Sequence, residues 1–215
     1  MANLSRQQRQ ASDLWQTAEK LLSEGNPKRA KPVLYKLVKM LPDEPAPLYN
    51  LGACCFELEQ FDQAIKYLKS ALKNDPGIVE ANVVLGRALK SSGKLLAAID
   101  CFYRYLEFEP KNLSVTKMLA DCLHQTGRQS EFIKVLSRAG EQYPEDFEVQ
   151  FDIADTLFQY GDVEDAVERF KQAIELAPNN LSVCQKFADV LSKIKLQRRD
   201  PQLLEILDNF LGNPS

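Results

Sequence analysis

Histidine occurs once in these 215 residues, as His124, and the five cysteines (Cys54, Cys55, Cys101, Cys122 and Cys184) include no C-x-x-C pair. Structural zinc needs Cys or His ligands in paired spacings, and an odd cysteine set closes no disulfide framework, so neither is expected and the thiols are read as reduced. No run of eighteen or more apolar residues occurs, and the start, MANLSRQQRQ, has neither an apolar stretch nor a small-residue cleavage site. The expectation is a cytoplasmic chain with no membrane insertion. G-x-G-x-x-G and Walker sequences are also missing, which removes the common phosphate cradles, and nothing calls for a cofactor. His124 has no nucleophile and orienting acid that spacing can place beside it, so it reads as a surface residue and the chain as non-catalytic.

Positive charge is in short supply too. The net charge is -3 and the pI about 5.4, whereas nucleic-acid binding draws its affinity from clustered Lys and Arg, so no nucleic-acid partner is expected. The charge is uneven, however: residues 1–40 are mainly basic and residues 107–178 mainly acidic.

What the chain does have is proline at a fixed interval: Pro42, Pro76, Pro110, Pro144 and Pro178 stand 34 residues apart. Between them other columns recur. The eighth position of each window is tiny (Ala18, Gly52, Gly86, Ala120, Ala154, Ala188), and the residue before it is large and apolar in all but the first. Three residues later another apolar side chain follows, which puts a knob, a hole and a knob on one helical face. The twentieth position is small (Ala30, Ala64, Ala98, Ala166), with Leu34, Leu68, Phe102 and Phe170 four residues on, so a second helix lies there. Gly25, Gly93, Gly127 and Gly161 fall between the two helices, where a left-handed residue ends the first. Each window is therefore helix, turn, helix. The proline closes the second helix because it lacks an amide hydrogen and pushes its predecessor out of helical geometry. Asn112, Asp146 and Asn180 then stand ready to cap the next helix. Departures are Glu59 at a turn-glycine position, Phe132 at a small position, and a fourth position reading Leu14, Leu48, Asn82, Thr116, Gln150 and Cys184.

A period of 34 with these columns resembles the tetratricopeptide repeat family over nearly the whole chain. The resemblance implies an all-α fold, a right-handed superhelix (α-α solenoid) forming one domain over 1–215. Five full repeats fall at 11–44, 45–78, 79–112, 113–146 and 147–180, with a sixth irregular hairpin and capping helix at 181–211. It also implies a concave groove lined by the first helices, binding a peptide segment or a helix of a partner protein. Inward positions of the family fall here on Trp15, Tyr49, Asn50, Phe56 and Val83, an apolar and aromatic trough, then on Arg87, Lys90 and Lys117. Asp121, Phe151, Asp152, Asp155 and Asp189 follow, an acidic end with Lys117 placed to neutralise Asp121 and Lys186 to neutralise Asp189. Members that hold the carboxylate terminus of heat-shock chaperones use a clamp of which only Asn50 is present, and the asparagine ladder of the O-GlcNAc transferase type is absent. The implied role is a non-catalytic adaptor. The layout is also similar to the recognition region that precedes the catalytic domain of some methyltransferases and glycosyltransferases.

Overall fold

The computed structural model describes residues 6–198. Among them run eleven helices and no strand: α1 (Arg6–Ser23), α2 (Pro27–Met40), α3 (Pro45–Glu57), α4 (Phe61–Asn74), α5 (Val79–Ser91), α6 (Leu95–Phe108), α7 (Leu113–Gln125), α8 (Gln129–Gln142), α9 (Phe147–Gln159), α10 (Val163–Leu176) and α11 (Leu181–Arg198). From α3 to α10 the lengths alternate strictly between 13 and 14 residues, so each 34-residue window folds as one hairpin. The helices gather into two compact units that divide after Phe132, within α8.

The turns obey the sequence columns. Gly25, Gly93, Gly127 and Gly161 all have positive φ, between 64° and 90°. At the first, the Gly25 N–H donates to the Leu22 carbonyl (2.9 Å) and the Asn26 N–H to that of Leu21 (3.0 Å), closing the orphan carbonyls of α1. Glu59 takes the same conformation, at φ 57°, with the same pair of bonds from Glu59 to Phe56 and from Gln60 to Cys55. A residue bearing a Cβ loses about 1–2 kcal/mol in that region, and the looser unfolded chain of glycine offsets part of this. Glu59→Gly is expected to raise the unfolding free energy by about 0.5–1 kcal/mol. A denaturant midpoint that stays put or falls would show that the turn stores no such strain.

Between hairpins, the Asn112 side chain accepts from the Val115 N–H (3.1 Å) and that of Asp146 from Glu148 and Val149 (3.0 and 3.2 Å), the expected caps of α7 and α9. In the first unit each helix from α1 to α6 packs on the next in sequence, and α3 also touches α5. The eighth-position hole is filled by the twenty-fourth-position knob of the same hairpin. A Cβ built on Gly52 would lie 2.6 Å from Leu68 Cγ, and one on Gly86 would lie 2.6 Å from Phe102 Cε1. Leu34, Leu68 and Phe102 are wholly buried, each burial worth about 1.5–3 kcal/mol. Phe132, large where its column is small, is also wholly buried and packs its ring 5.6 Å from that of His124. His124 is therefore half-buried in a ring contact, not the surface residue expected: the space an alanine would leave at position 132 is taken up by a ring that reaches it.

In the second unit Phe170 is the twenty-fourth-position knob, with Phe151 (5.6 Å, edge-on) and Phe187 (5.6 Å) against it. The irregularity of the sixth window has a local cause. Lys195 stands where the other hairpins have a turn residue, and α11 runs through it to Arg198. The capping segment expected at 201–211 lies outside the described residues.

Candidate functional site

The first helices of the first unit present a side-chain surface that runs from one hairpin to the next. Tyr49, at the fifth position of α3, and Val83, at the fifth of α5, are both half-buried, as are Asn50, Ala53 and Val84. Burial pushes the Tyr49 phenol above its usual 10, with the Glu80 carboxylate adding to it. Phe56 is half-buried between two partners. The Phe61 ring lies 5.9 Å away, and the Arg87 guanidinium sits 4.5 Å above the ring centroid. A cation over an aromatic face is worth about 0.5–2 kcal/mol and keeps an otherwise exposed arginine in one place. Lys90, one turn further along α5, forms an ion pair with Asp121 of α7, whose carboxylate also accepts from Gln125 Nε2 at 2.7 Å. Lys117 is half-buried on the same helix as Asp121. Trp15 does not join the trough in the same way: it is half-buried and lines a separate cavity of about 290 Å³ with Ala11, Leu37, Ala46 and Pro47, between α1, α2 and α3.

In the second unit Phe151 turns its ring onto Phe170, so it belongs as much to the core as to the surface. Asp152 is half-buried, Asp155 pairs with Lys186 of α11 at 3.1 Å and accepts from Gln159 Nε2 at 2.7 Å, and Asp189 is exposed. One pairing differs from expectation. Lys186 reaches back to the preceding first helix instead of forward to Asp189, whereas Asp121 gains a partner in Lys90 of the hairpin before it. A lysine that precedes its acid on one helix is the weaker orientation against the helix dipole, which leaves the neighbouring helix as the better partner. Two of the three recurring aspartates thus carry a lysine partner, each such pair contributing about 0–1 kcal/mol at this exposure.

Four of the five cysteines are core residues, and Cys184 is half-buried. Cys54, Cys55, Cys101 and Cys122 are buried, and burial is the main cause that pushes the Cys54 and Cys101 thiols up to about 11 and raises those of Cys55 and Cys122. Thiols held so high carry almost no thiolate near neutral pH, the form that reacts. Among the described residues no group of three His, Cys, Asp or Glu side chains is placed to hold a metal, and no helix is long and apolar enough to cross a membrane.

Sequence reasoning missed Phe61 as the second partner of Phe56, although its place at the start of the next helix, one turn residue beyond Glu59, puts it beside the end of α3. It also gave no role to Asn82, Thr116 and Gln150, the departures at the fourth position, which are buried polar groups. Each is satisfied: Asn82 Nδ2 donates to Val79 O (3.3 Å), Thr116 Oγ1 to Asn112 O (3.0 Å), and Gln150 Nε2 to Gly140 O and Tyr143 O (2.9 and 2.8 Å).

Two family models, each described as tetratricopeptide repeat, match the chain, one over residues 21–83 and 89–154 and the other over 56–112 and 133–180. Among curated proteins the chain is similar to the small glutamine-rich tetratricopeptide repeat-containing protein 2 of Mycosarcoma maydis, at 33% identity over 110 residues that make up 48% of this chain and 31% of that protein. It is similar to anaphase-promoting complex subunit 3 of Dictyostelium discoideum at 28% identity over 91 residues, 42% of this chain and 9% of that one. The chain spans less than a third of the length of either relative. Among solved structures it resembles MamA of Desulfovibrio magneticus RS-1, with TM-score 0.67 and 19% identity over 80% of this chain and 97% of that one. A tetratricopeptide repeat protein of Parabacteroides merdae gives TM-score 0.69 at 14% identity over 94% of this chain and 80% of that one. At these identities the likeness is one of fold.

Proposed function

Since the chain belongs to the tetratricopeptide repeat family, a family of protein-interaction modules, we propose that it works as a non-catalytic adaptor whose first-helix surface holds a peptide segment or a helix of a partner protein. The observation that carries this reading is the arrangement of Tyr49, Phe56 and Arg87 across α3 and α5. Phe56 is only half-buried, its ring already aligned by Phe61 and by the guanidinium above it, and Tyr49 lies half-buried on the same surface. Aromatic and arginine side chains held rigid in this way lose little entropy on binding, which is what makes such residues anchors. Val83 and Val84 supply apolar area beside them, and Asn50 supplies a polar group able to bond a peptide backbone.

The reading is tested by selecting ligands for the full chain from a displayed peptide library and measuring the best of them against variants. Phe56→Ala and Arg87→Ala are each expected to weaken binding about tenfold, close to 1.5 kcal/mol, with an unchanged circular dichroism spectrum. Selected peptides that bind the wild type and both variants alike would remove the groove as their seat.

A further inference from the structure

The second helices carry a feature that the groove does not use. At the twenty-ninth position of successive windows the residues are Lys39 and Lys73, then Glu107, Glu141 and Glu175, so the outer surface changes sign after the second hairpin. On α2 the residues Lys28, Arg29, Lys31, Lys36 and Lys39 are accompanied by no carboxylate. Among the described residues none of Lys28, Arg29, Lys36 and Lys39 forms an ion pair.

Between α2 and α4 this basic surface opens into a cleft of about 400 Å³ lined by Lys31, Pro32, Tyr35, Gln63 and Tyr67. The cleft has a sequence cause. The twenty-first position is Ile65, Ile99, Ile133 and Val167 in the later windows but Lys31 in the first, and the twenty-second is Pro32, whose side chain is short. Lys31 is half-buried and donates to the side-chain oxygens of Gln60 and of Gln63 (3.1 Å), which orients it without cancelling its charge. Tyr35 keeps 44% of its surface exposed, and the Lys39 ammonium stands 4.7 Å from its ring centroid. The result is an aromatic-walled recess under unpaired ammonium groups.

We propose that this outer face of α2 and α4 is a second docking surface, for an acidic peptide segment that sets one apolar side chain between Pro32, Tyr35 and Tyr67 and its carboxylates on Lys36 and Lys39. The chemistry favours a peptide over other anions. The apolar part is recessed, where a lipid surface needs it to protrude. The neighbouring surface cavity carries Glu59, and its one lysine, Lys94, is already paired with Asp62 at 3.3 Å, so a phosphate backbone continuing past the cleft would meet no unpaired cation there. Complementary charge there sets encounter and specificity, and the recess supplies the anchor.

The test uses the full chain and a fluorescein-labelled peptide of glutamates around a single leucine, followed by anisotropy. Saturable binding that weakens as salt is raised is expected. K36E/K39E should lose about tenfold or more and Tyr35→Ala about fivefold, all with native circular dichroism. K134E/R138E, the same charge change made on exposed residues of α8, should stay within about twofold of wild type. No binding by the wild type overturns the proposal, and so does equal binding by K36E/K39E. Peptide binding that is lost in Phe56→Ala and kept in K36E/K39E places the peptide in the groove and overturns it as well. Tighter binding of oligothymidylate or of phosphatidylserine vesicles than of the peptide would do the same.

Discussion

Phe102→Ala lowers the unfolding free energy by about 3–5 kcal/mol, the loss expected for a wholly buried ring. The ring is wholly buried and sits in the hole left by the missing side chain of Gly86, where an added Cβ would meet Phe102 at 2.6 to 2.9 Å. Removing the ring therefore empties a space that was shaped for it from both sides. Gly86 cannot fill the gap, and helices held by flanking hairpins collapse only in part, so the cavity cost adds to the lost transfer energy. The position matters as much as the residue. Each hairpin is stabilised by its nearest neighbours, and the third hairpin packs through α4 and α7 on either side. Its loss should broaden the unfolding transition as well as lower it. Leu96→Ala provides the contrast, because that leucine on the same helix is 64% exposed and should change stability by less than about 0.5 kcal/mol. Equal effects of the two substitutions in a denaturant titration would contradict the knob-and-hole account.

The same column explains why so much of the fold is legible in the sequence. A 34-residue period repeats each requirement several times, so Gly25, Gly93, Gly127 and Gly161 point to one backbone conformation together where any one alone would say little. Even Glu59 was readable as a turn residue from its place in the column, against its own propensity. What the sequence did not disclose were interactions set by side-chain reach between helices. Lys186 is three residues from Asp189, yet it pairs with Asp155 on another helix. Spacing along one helix is visible in a sequence, whereas the length and rotamer of a lysine that crosses to the next hairpin are not. His124 failed for a related reason: its burial depends on Phe132, and the consequence of a large residue in a small column falls on whichever neighbour is nearest. In the groove the positions are legible from the resemblance, but the difference between Phe56, held by Arg87 and Phe61, and Trp15, turned into a cavity with Leu37 and Pro47, comes from packing alone.

Gln150→Leu is expected to destabilise the protein by about 2–3 kcal/mol, although leucine stands at the same fourth position in the first two windows. Gln150 is 1% exposed. Its Nε2 donates to the Gly140 and Tyr143 carbonyls at 2.9 and 2.8 Å, and its Oε1 accepts from Arg169 Nη1 at 2.8 Å. Leucine would leave those carbonyls without their side-chain donor and the half-buried guanidinium without one of its acceptors, and the desolvation of groups left unpaired is the cost. Two other sequence departures belong to the same arrangement. The twenty-third position, apolar as Val33, Tyr67, Cys101 and Val135, is Arg169 in the fifth window, and Gly140 stands where Val38, Leu72, Leu106 and Ile174 occur elsewhere, because a Cβ there would run into the guanidinium. The three residues form one unit, so their effects are coupled. Gln150→Leu combined with Arg169→Leu restores the apolar pairing of the other windows and should recover at least half of the loss, a coupling of about 1–2 kcal/mol in a double-mutant cycle. Additive single and double effects would mean that Gln150 and Arg169 are satisfied separately, and a Gln150→Leu protein as stable as wild type would mean that the buried amide contributes nothing that a leucine of similar volume does not.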